Sequence, residues 1–208
     1  MSITSSFYEE NAETLAEQYN ALDPTEVHQT WHQYWPTEEA EVLDIGAGSG
    51  RDAHWFETRE CNVIACEPCH KLREIGMKQT GEGVRWLDDK LPELSNVAKQ
   101  KLCFDVVLIS AVWMHLPLEY RKDALQRIAG VMKDTGTLVV TLRHGPFIDG
   151  REAFPVSAIE LSGLASELNL EVADVFDGKD QQHRQDVSWQ TVVIKKKISC
   201  ENEAKYGA

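Results

Sequence analysis

The residues most suggestive of chemistry lie between Glu41 and Gly50, where a short apolar stretch ends in three closely spaced glycines. Val42, Leu43 and Ile45 are typical of a buried β-strand, and a helix-forming segment follows the glycines. Glycine allows a tight turn and lets a ligand lie directly against the backbone. A strand that ends in such a turn and leads into a helix is typical of a nucleotide-binding junction.

The spacing of the glycines narrows the choice of cofactor. A dinucleotide site binds pyrophosphate with the pattern Gly-x-Gly-x-x-Gly, or with Ala in the last place. Here the third glycine comes one residue early, and Arg51 stands where the small residue should be. With Asp44 two residues before Gly46, the pattern is Asp-x-Gly-x-Gly-x-Gly, which resembles motif I of the class I S-adenosylmethionine-dependent methyltransferases.

That resemblance implies S-adenosylmethionine as the cofactor and S-adenosylhomocysteine as its product. The cofactor has a ribose diol, an ammonium, a carboxylate and a sulfonium, for which carboxylates and backbone groups are suitable partners. We expect Asp44 to organise the turn or to reach the ammonium through water, and Gly46 and Gly48 to lie beneath the methionine moiety. The expected contacts of this segment are Asp44, Gly46, Ala47, Gly48, Ser49, Gly50 and Asp52.

Strand and helix patterns alternate after this junction, which indicates an α/β fold with helices on both faces of a parallel sheet. The later predicted strands are 62–66, 84–87, 104–110, 137–142, 170–176 and 189–195, with Gly136 breaking the chain before the fifth strand. The predicted helices are 51–59, 71–80, 119–132 and one that begins after Ser157. The last two strands have a connection too short for a crossover helix and should form an antiparallel hairpin.

The resemblance implies a doubly wound, Rossmann-like sheet of seven mostly parallel strands, with the order 3-2-1-4-5-7-6 and the last strand antiparallel. A chain of 208 residues is most simply one domain. We divide it into an N-terminal helical segment (1–40), a core (41–198) and a tail (199–208). In many class I methyltransferases such an N-terminal segment covers the cofactor, which gives Tyr8 a cofactor contact; ordinary packing is the alternative.

Carboxylates follow the next two strands, and ligands of open α/β sheets bind at the carboxyl ends of strands. Glu67 ends the second strand, where a carboxylate accepts hydrogen bonds from both ribose hydroxyls, although an exposed loop acid is the alternative. The resemblance implies that Asp88 or Asp89 binds the adenine amino group. We favour Asp88, because Asp89 with Lys90 also fits a solvated turn. The other expected contacts near these ends are Pro68, Leu72, Leu87 and Leu91.

The segment after the fourth strand should face the reacting methyl group, and Ser110, Ala111 and Val112 are expected cofactor contacts. It lacks the Asn/Asp-Pro-Pro-Tyr/Phe motif of adenine amino-methyltransferases and the Pro-Cys motif of cytosine-carbon enzymes. His115 could contact the cofactor and remove a proton from the substrate nucleophile, because an unperturbed imidazole titrates near neutral pH. It could equally cap the next helix.

The run Arg143-His144-Gly145-Pro146 follows the fifth strand and places a cation and an imidazole at the rim of the expected site. Arg143 could bind an anionic substrate group, or it could pair with one of the many surface acids. His144 is a second candidate catalytic histidine. Together with Gly-Ala-Gly-Ser-Gly-Arg-Asp-Ala and Ser-Ala-Val-Trp-Met-His, this run is similar to segments of a group of bacterial methyltransferases, a similarity that implies no particular substrate.

Composition restricts the partners. With 21 basic and 34 acidic residues the formal charge is −13, which disfavours large nucleic-acid substrates. The five cysteines are odd in number and irregularly spaced, as in reduced cytoplasmic proteins. The first residues show no basic region followed by an apolar run, and no apolar stretch is of membrane length, so we expect a cytoplasmic protein. Cys66-Glu67-Pro68-Cys69-His70 matches a haem-attachment spacing or half a zinc site, but without a second Cys pair we expect no metal.

The leading hypothesis is a cytoplasmic S-adenosylmethionine-dependent methyltransferase with a small or medium-sized acceptor, for which Arg143 favours an anionic group. One alternative is an RNA or protein methyltransferase in which local cations form a basic rim, namely Arg143, Arg151, Lys179 and Arg184. A second alternative is a non-catalytic protein that binds the cofactor. An NAD-linked oxidoreductase is the least favoured, and the sequence predicts no particular oligomeric state.

Overall fold

The computed structural model describes residues 3–197, so the predicted tail at 199–208 lies outside the described residues. One sheet contains the strands β1 (Glu41–Ile45), β2 (Asn62–Cys66), β3 (Val84–Leu87), β4 (Phe104–Ile109), β5 (Met132–His144), β6 (Leu170–Gly178) and β7 (Ser188–Lys196). Their order is β3-β2-β1-β4-β5-β7-β6, which confirms the predicted topology. The first five strands pair parallel with one another, and β7 is antiparallel to both β5 and β6.

The helices of the described residues are α1 (Ile3–Asn20), α2 (Pro24–Val27), α3 (Arg51–Glu57), α4 (His70–Thr80), α5 (Ser95–Gln100), α6 (Leu118–Val131) and α7 (Ala158–Glu167). Short 3₁₀ helices are formed by Gln29–Tyr34, Gly81–Gly83 and Trp113–His115. Within the described part of the chain, no helix is both long enough and apolar enough to cross a membrane.

The central strands are apolar because helices cover both faces of the sheet, and successive side chains of a strand point to opposite faces. Leu43 of β1 packs in one core cluster with Leu125 of α6 and Leu161 of α7. Its neighbour Val42 packs in a second cluster with Phe56 of α3. The two clusters hold the sheet between two helical layers, and the carboxyl ends of β1, β2 and β4 meet at one edge.

The fifth strand begins earlier than predicted, at Met132 rather than at residue 137. Between Phe104 and Val106 of β4, the pairing partner in β5 jumps from Met132 to Thr137, which leaves an irregular segment in β5. A Cβ atom on Gly136 would lie 2.8 Å from the carbonyl oxygen of Phe104. Glycine is therefore needed there because the two strands approach closely, and the prediction that it breaks the chain before the strand was wrong.

The N-terminal segment is anchored to the start of α3. Asp23 caps α2 by accepting a hydrogen bond of 2.8 Å from the amide of Thr25. Next to α2, the buried His28 accepts a hydrogen bond of 3.1 Å from the indole of Trp31 through Nδ1. Its Nε2 lies 3.0 Å from Asp52 of α3. These contacts fix residues 24–35 against the helix that follows the glycine turn.

Helix α1 lies across α4, beside the glycine turn. Ala12 and Ala16 of α1 pack against Leu72 of α4 in a small buried cluster. At the end of α1, the side-chain oxygen of Asn20 accepts a hydrogen bond of 2.8 Å from the hydroxyl of Ser49. Helix α1 therefore covers the edge of the sheet at which the predicted ligand contacts lie.

Candidate active site

The glycine turn after β1 has the backbone conformation that glycine favours. Gly46, Gly48 and Gly50 have φ angles of 73°, 56° and 88°. The amides of Gly46 and Ala47 donate to the carbonyl oxygen of Cys66, at 2.8 and 3.0 Å. A Cβ atom on Gly46 would lie 2.4 Å from Cγ2 of Val112, so any larger residue would push against the loop that follows β4.

Glu67 links this turn to the start of α4. Its carboxylate accepts hydrogen bonds from the amide of Gly48 at 2.9 Å and from the amide of Cys69 at 2.7 Å. Burial raises the pKa of this carboxyl to about 7, although both amides favour the charged form. A carboxylate has about four acceptor sites, so two remain for a ligand. The alternative interpretation of Glu67 as an exposed loop acid is wrong, because the residue is buried.

Asp44 is buried beneath the turn, and its Oδ2 atom has no hydrogen-bond partner among the described residues. Burial raises the pKa of this carboxyl well above its usual range, and the neighbouring charges of Asp52 and Glu67 add to the effect. A buried carboxylate oxygen without a donor is costly. It is satisfied if a ligand or a water molecule donates to it, which fits the predicted link to an ammonium.

Both carboxylate oxygens of Asp52 already have protein partners. Arg51 donates to the two oxygens at 2.7 and 2.8 Å, and Nε2 of His28 lies 3.0 Å from one of them. Burial by itself would raise its pKa, but the charge of Arg51 and the nearby His28 hold the pKa well below its usual range. The carboxylate therefore anchors the N-terminal segment, and its predicted cofactor contact stays a prediction.

Asp88 and Asp89 differ sharply in their surroundings. Asp88 is exposed, and one of its oxygens lies 3.2 Å from the guanidinium of Arg73. Asp89 is buried and accepts hydrogen bonds from four backbone amides, those of Lys90, Ser95, Asn96 and Val97, at 2.7–3.1 Å. The interpretation of Asp89 as a solvated turn was wrong, because it caps α5. Asp88 is the carboxylate that stays available to a ligand.

The other predicted contacts near these strands differ in exposure. Leu72 is buried beneath α1, whereas Pro68 is exposed at the start of the β2–α4 connection. Leu87 and Leu91 are partly buried against the core on either side of the two aspartates. After β4, Ser110, Ala111 and Val112 are partly buried, and the amide of Ala111 donates to the Thr141 hydroxyl at 2.8 Å.

His115 does not cap the following helix, because α6 has Pro117 at its N-cap and no side-chain cap. Instead, Nδ1 of His115 lies 2.7 Å from the carbonyl oxygen of Glu152. A carbonyl oxygen only accepts, so Nδ1 carries the proton and the neutral ring directs the lone pair of Nε2 towards the Tyr8 hydroxyl, 3.3 Å away. Burial lowers the pKa of the imidazole, and the charges of Arg151 and Arg143 lower it further.

Tyr8 and Tyr19 extend from α1 towards the same place. Nη1 of Arg151 lies 3.4 Å from each of their hydroxyl oxygens. The remaining nitrogens of Arg151 bind the carboxylate of Asp149 at 2.6–3.1 Å. Burial raises the pKa of Tyr8, so its hydroxyl stays protonated and donates to His115. Residues from α1, from the end of β4 and from the loop after β5 thus converge on one hydroxyl group.

Arg143 is buried and has no ion pair with an acidic side chain among the described residues, so the predicted alternative of a surface acid as its partner was wrong. Its terminal nitrogens donate to the carbonyl oxygens of Gly145 and Pro146, both at 3.0 Å. Its Nε atom has no partner among the described residues. His144, by contrast, faces Gln190 of β7 at 3.2 Å and is not brought to His115.

The two cysteines of the Cys-x-x-Cys-His run belong to different surroundings. Cys66 is buried in the main core cluster, whereas Cys69 packs with α1 in the small cluster around Leu72. His70 faces Glu74, at 3.7 Å. Within residues 3–197, no group of three or more His, Cys, Asp or Glu side chains is arranged to hold a metal ion.

Comparison with known proteins identifies a methyltransferase domain. Residues 43–140 match the family model described as a methyltransferase domain, and this range contains the glycine turn, Glu67, Asp88 and His115. The strand order around it is the one that the resemblance to class I S-adenosylmethionine-dependent methyltransferases implies. A search of curated proteins found no match.

Solved structures resemble this methyltransferase over nearly its whole length. A TehB-like S-adenosylmethionine-dependent methyltransferase from Corynebacterium glutamicum is 21% identical, with a TM-score of 0.64, covering 93% of this chain and 98% of its own. The 1,6-didemethyltoxoflavin-N1-methyltransferase of Burkholderia thailandensis, crystallised with 1,6-didemethyltoxoflavin and S-adenosylhomocysteine, is 17% identical, with a TM-score of 0.71 and coverages of 94% and 88%. The magnesium protoporphyrin IX methyltransferase of Synechocystis PCC 6803, with bound S-adenosylmethionine, is 11% identical, with a TM-score of 0.61 and coverages of 92% and 80%. At these identities the likeness establishes the fold.

Sequence reasoning missed three residues that the methyltransferase brings to His115 and Tyr8. They are Tyr19, Phe147 and Arg151, of which only Arg151 was given a functional role, as part of a basic rim. Tyr19 carried a signal, because it lies at helical spacing from Ala12 and Ala16 on the covering helix. Phe147 and Arg151 lie in an irregular loop, where periodicity gives no information about direction.

Proposed function

We propose that this methyltransferase transfers the methyl group of S-adenosylmethionine to a small or medium-sized, anionic acceptor, and that residues 1–208 act as a single catalytic domain. The observation that carries the proposal is the buried Glu67 carboxylate, which two amides hold at the end of β2 with acceptor sites to spare. It lies beside the glycine turn, in which a Cβ atom on Gly48 would meet only the Tyr19 ring, at 3.9 Å.

The residues around this edge fit the chemistry of the cofactor. We assign Glu67 to the ribose hydroxyls, Asp88 to the adenine amino group, Asp44 to the ammonium, and Gly46 and Gly48 to the methionine moiety. The cofactor, when bound, supplies a methyl group already activated on a sulfonium. The protein therefore has to align the acceptor and exclude water, for which α1 is placed across the turn.

We assign proton removal to His115. The carbonyl oxygen of Glu152 fixes its tautomer, and its lowered pKa keeps the ring neutral at physiological pH. The single lone pair of Nε2 accepts from the Tyr8 hydroxyl, so an acceptor nucleophile that takes the place of this hydroxyl can transfer its proton to Nε2. Such a base is required when the nucleophile is protonated at the working pH.

Two observations support a small, anionic acceptor over RNA. Arg143 is a buried cation at the rim without an acidic partner among the described residues. Of the other rim cations, Arg184 binds Asp180 at 2.6 Å, and the Arg151 side chain is largely buried beside Asp149, so neither presents an exposed cation to an RNA backbone. The Burkholderia relative was crystallised with a small acceptor, which also supports this choice.

Calorimetric titration with S-adenosylhomocysteine tests cofactor binding. We expect binding by the wild-type protein, a loss of affinity in Glu67→Gln, and unchanged affinity in the control Glu82→Gln, which alters an exposed acid. No binding by the wild type would overturn the proposal.

Incubation with methyl-labelled S-adenosylmethionine and pools of small metabolites tests turnover. Label transfer only to RNA or protein would refute the small acceptor, and cofactor binding without any transfer would favour the non-catalytic alternative.

A further inference from the structure

We propose that Arg151 binds a carboxylate of the methyl acceptor, and that Asp149 holds the place of that carboxylate in the structure. The proposal rests on the proposed function, since it concerns the same cleft, by which we mean the site at the carboxyl ends of β1, β2, β4 and β5. The acceptor half is the part at the ends of β4 and β5. It adds a residue that determines specificity, and it names the substrate class as small carboxylic acids with a planar ring.

The guanidinium of Arg151 is already arranged for a carboxylate. Its Nε lies 3.1 Å from each oxygen of Asp149, and its Nη2 lies 2.6 Å from Oδ2. Such paired contacts are the preferred geometry between arginine and a carboxylate. The Arg151 side chain is only 12% exposed, whereas that of Asp149 is 34% exposed. The cation is therefore built into the cleft, and its carboxylate partner lies on the solvent side.

Arg151 also has contacts that do not involve Asp149. Nη1 of the guanidinium lies 3.4 Å from the hydroxyl oxygens of both Tyr8 and Tyr19. Aromatic rings surround the charged group, and its central carbon lies 4.6 Å from the ring centre of Phe147 and 5.4 Å from that of Phe7. These contacts remain when Asp149 moves away.

The loop that carries Asp149 allows such a movement. Asp149 precedes Gly150, which has a φ of 88°, and a Cβ atom on that glycine would have no neighbour within 4 Å. The adjacent Ile148 is 96% exposed, so almost no packing holds this part of the loop. A carboxylate two residues away from its arginine, in an exposed loop, can be replaced by one from a ligand without disturbing the core.

The local charge also favours an additional anion. Arg143 lies on the same ring, with its guanidinium carbon 3.9 Å from the centre of Phe147, and its buried Nε atom has no partner among the described residues. Two guanidiniums thus flank one phenyl ring, and Asp149 is the only acid that pairs with either of them in the part of the chain that is described. In a chain with a formal charge of −13, this is a local excess of positive charge.

The same geometry connects the anion site to the proposed base. The Tyr8 hydroxyl lies 3.4 Å from Arg151 and 3.3 Å from Nε2 of His115. The ring of Phe147 lies 5.1 Å from the His115 ring, centre to centre. An acceptor whose carboxylate binds Arg151 and whose planar ring lies against these aromatic groups therefore has its nucleophile close to His115.

Benzoate and its neutral analogue benzamide test the site. The full chain, saturated with S-adenosylhomocysteine, is titrated with each compound, and ligand-observed NMR measures the binding. We expect the wild type to bind benzoate about tenfold more tightly than benzamide, as for a charge-assisted rather than a neutral hydrogen bond. Asp149→Asn removes the internal competitor and should tighten benzoate binding several-fold while leaving benzamide unchanged. Arg151→Gln and Arg143→Gln should each reduce the preference, and Arg127→Gln on the exposed face of α6 should not.

Each outcome decides the proposal. Equal binding of benzoate and benzamide in both the wild type and Asp149→Asn would overturn it. Both of these proteins keep Arg143 and Arg151, so the result does not depend on whether an arginine variant folds. Tighter binding of phenyl phosphate than of benzoate would overturn the assignment to a carboxylate. S-adenosylhomocysteine affinity is measured separately in every sample. If the wild type binds S-adenosylhomocysteine but does not distinguish benzoate from benzamide, this inference alone is refuted. If the wild type does not bind S-adenosylhomocysteine, the proposed function is refuted.

Discussion

At the ends of β1 and β2 the cleft is formed by backbone amides and buried carboxylates, whereas at the ends of β4 and β5 it is formed by aromatic rings, an imidazole and two guanidiniums. The first half is contained within residues 44–89, in which strand ends fix each group. The second half joins segments far apart in the chain, since Tyr8 and His115 are separated by 107 positions. We infer that the fold itself supplies the cofactor half, while loops and the N-terminal helix define what is methylated.

The strongest test of the cofactor half is Gly46→Ala. Its Cβ atom would lie 2.4 Å from Val112, and φ is 73°, so we expect crowding and strain to cost about 2–6 kcal/mol of unfolding free energy in total. Gly150→Ala is the control, because its φ of 88° is also positive but no atom lies within 4 Å of the added Cβ. Chemical denaturation of both variants measures the difference. Equal destabilisation would mean that the close approach to Val112 has no cost.

In the acceptor half, His115→Gln should lower the rate of methyl transfer by about 10²–10⁴-fold, the usual contribution of a general base. Because burial lowers the His115 pKa below its ordinary 6.5, the wild-type rate should rise with pH through a midpoint below that value and stay constant above it. The variant should lack this rise. Rates with an acceptor found by label transfer measure both effects, and an unchanged pH profile in the variant would exclude His115 as the base.

For the cofactor half, Glu67→Gln should weaken S-adenosylhomocysteine binding by about 1.5–3 kcal/mol, the value of hydrogen bonds to a charged group. The Glu67 pKa of about 7 means that the carboxyl loses its proton near neutrality, so wild-type affinity should rise from about pH 6 to about pH 8. The variant should show no such rise. Calorimetry at several pH values tests this, and a pH-independent wild type would contradict the assignment of the ribose hydroxyls to Glu67.

The same pKa has a consequence for stability without the cofactor. The folded-state pKa of Glu67, about 7, is raised above its ordinary 4.5, so the folded protein binds more protons than the unfolded chain between these values. The contribution of this group to stability is therefore greatest below pH 4.5 and decreases as the pH rises towards 7. The midpoint temperatures of thermal unfolding of the wild type and Glu67→Gln should therefore differ increasingly as the pH rises from 4.5 towards 7.

The smallest expected effects separate the two aspartates after β3. Asp88→Ala should weaken S-adenosylhomocysteine binding by about 0.5–1.5 kcal/mol with little loss of stability, because its ion pair with Arg73 is exposed. Asp89→Ala should instead lower the unfolding free energy, since it removes the acceptor of four amides. Thermal unfolding and calorimetry together distinguish them. If Asp89→Ala weakened S-adenosylhomocysteine binding and Asp88→Ala lowered the unfolding free energy, the roles assigned to the two aspartates would be exchanged.

These differences explain what the sequence could predict. The glycine turn, Glu67 and the sheet order follow from short-range spacing and from resemblance, because each depends on residues close together in the chain. The buried position of Asp89 depends on α5, a helix of six residues that was not predicted and whose first amides bind that aspartate. The direction of Arg151 depends on contacts with a helix more than a hundred residues away, which no local pattern encodes.

Helix α1 is one continuous element of 18 residues that touches both halves of the cleft. Glu9 accepts a hydrogen bond from the amide of His70 at the start of α4. Asn20 accepts one from Ser49 in the glycine turn, and the Tyr8 hydroxyl donates one to His115. The helix cannot lift from one side without releasing the other. From this architecture we expect departure of the spent cofactor and admission of the next acceptor to require one shared opening of α1, which would then set an upper limit on turnover.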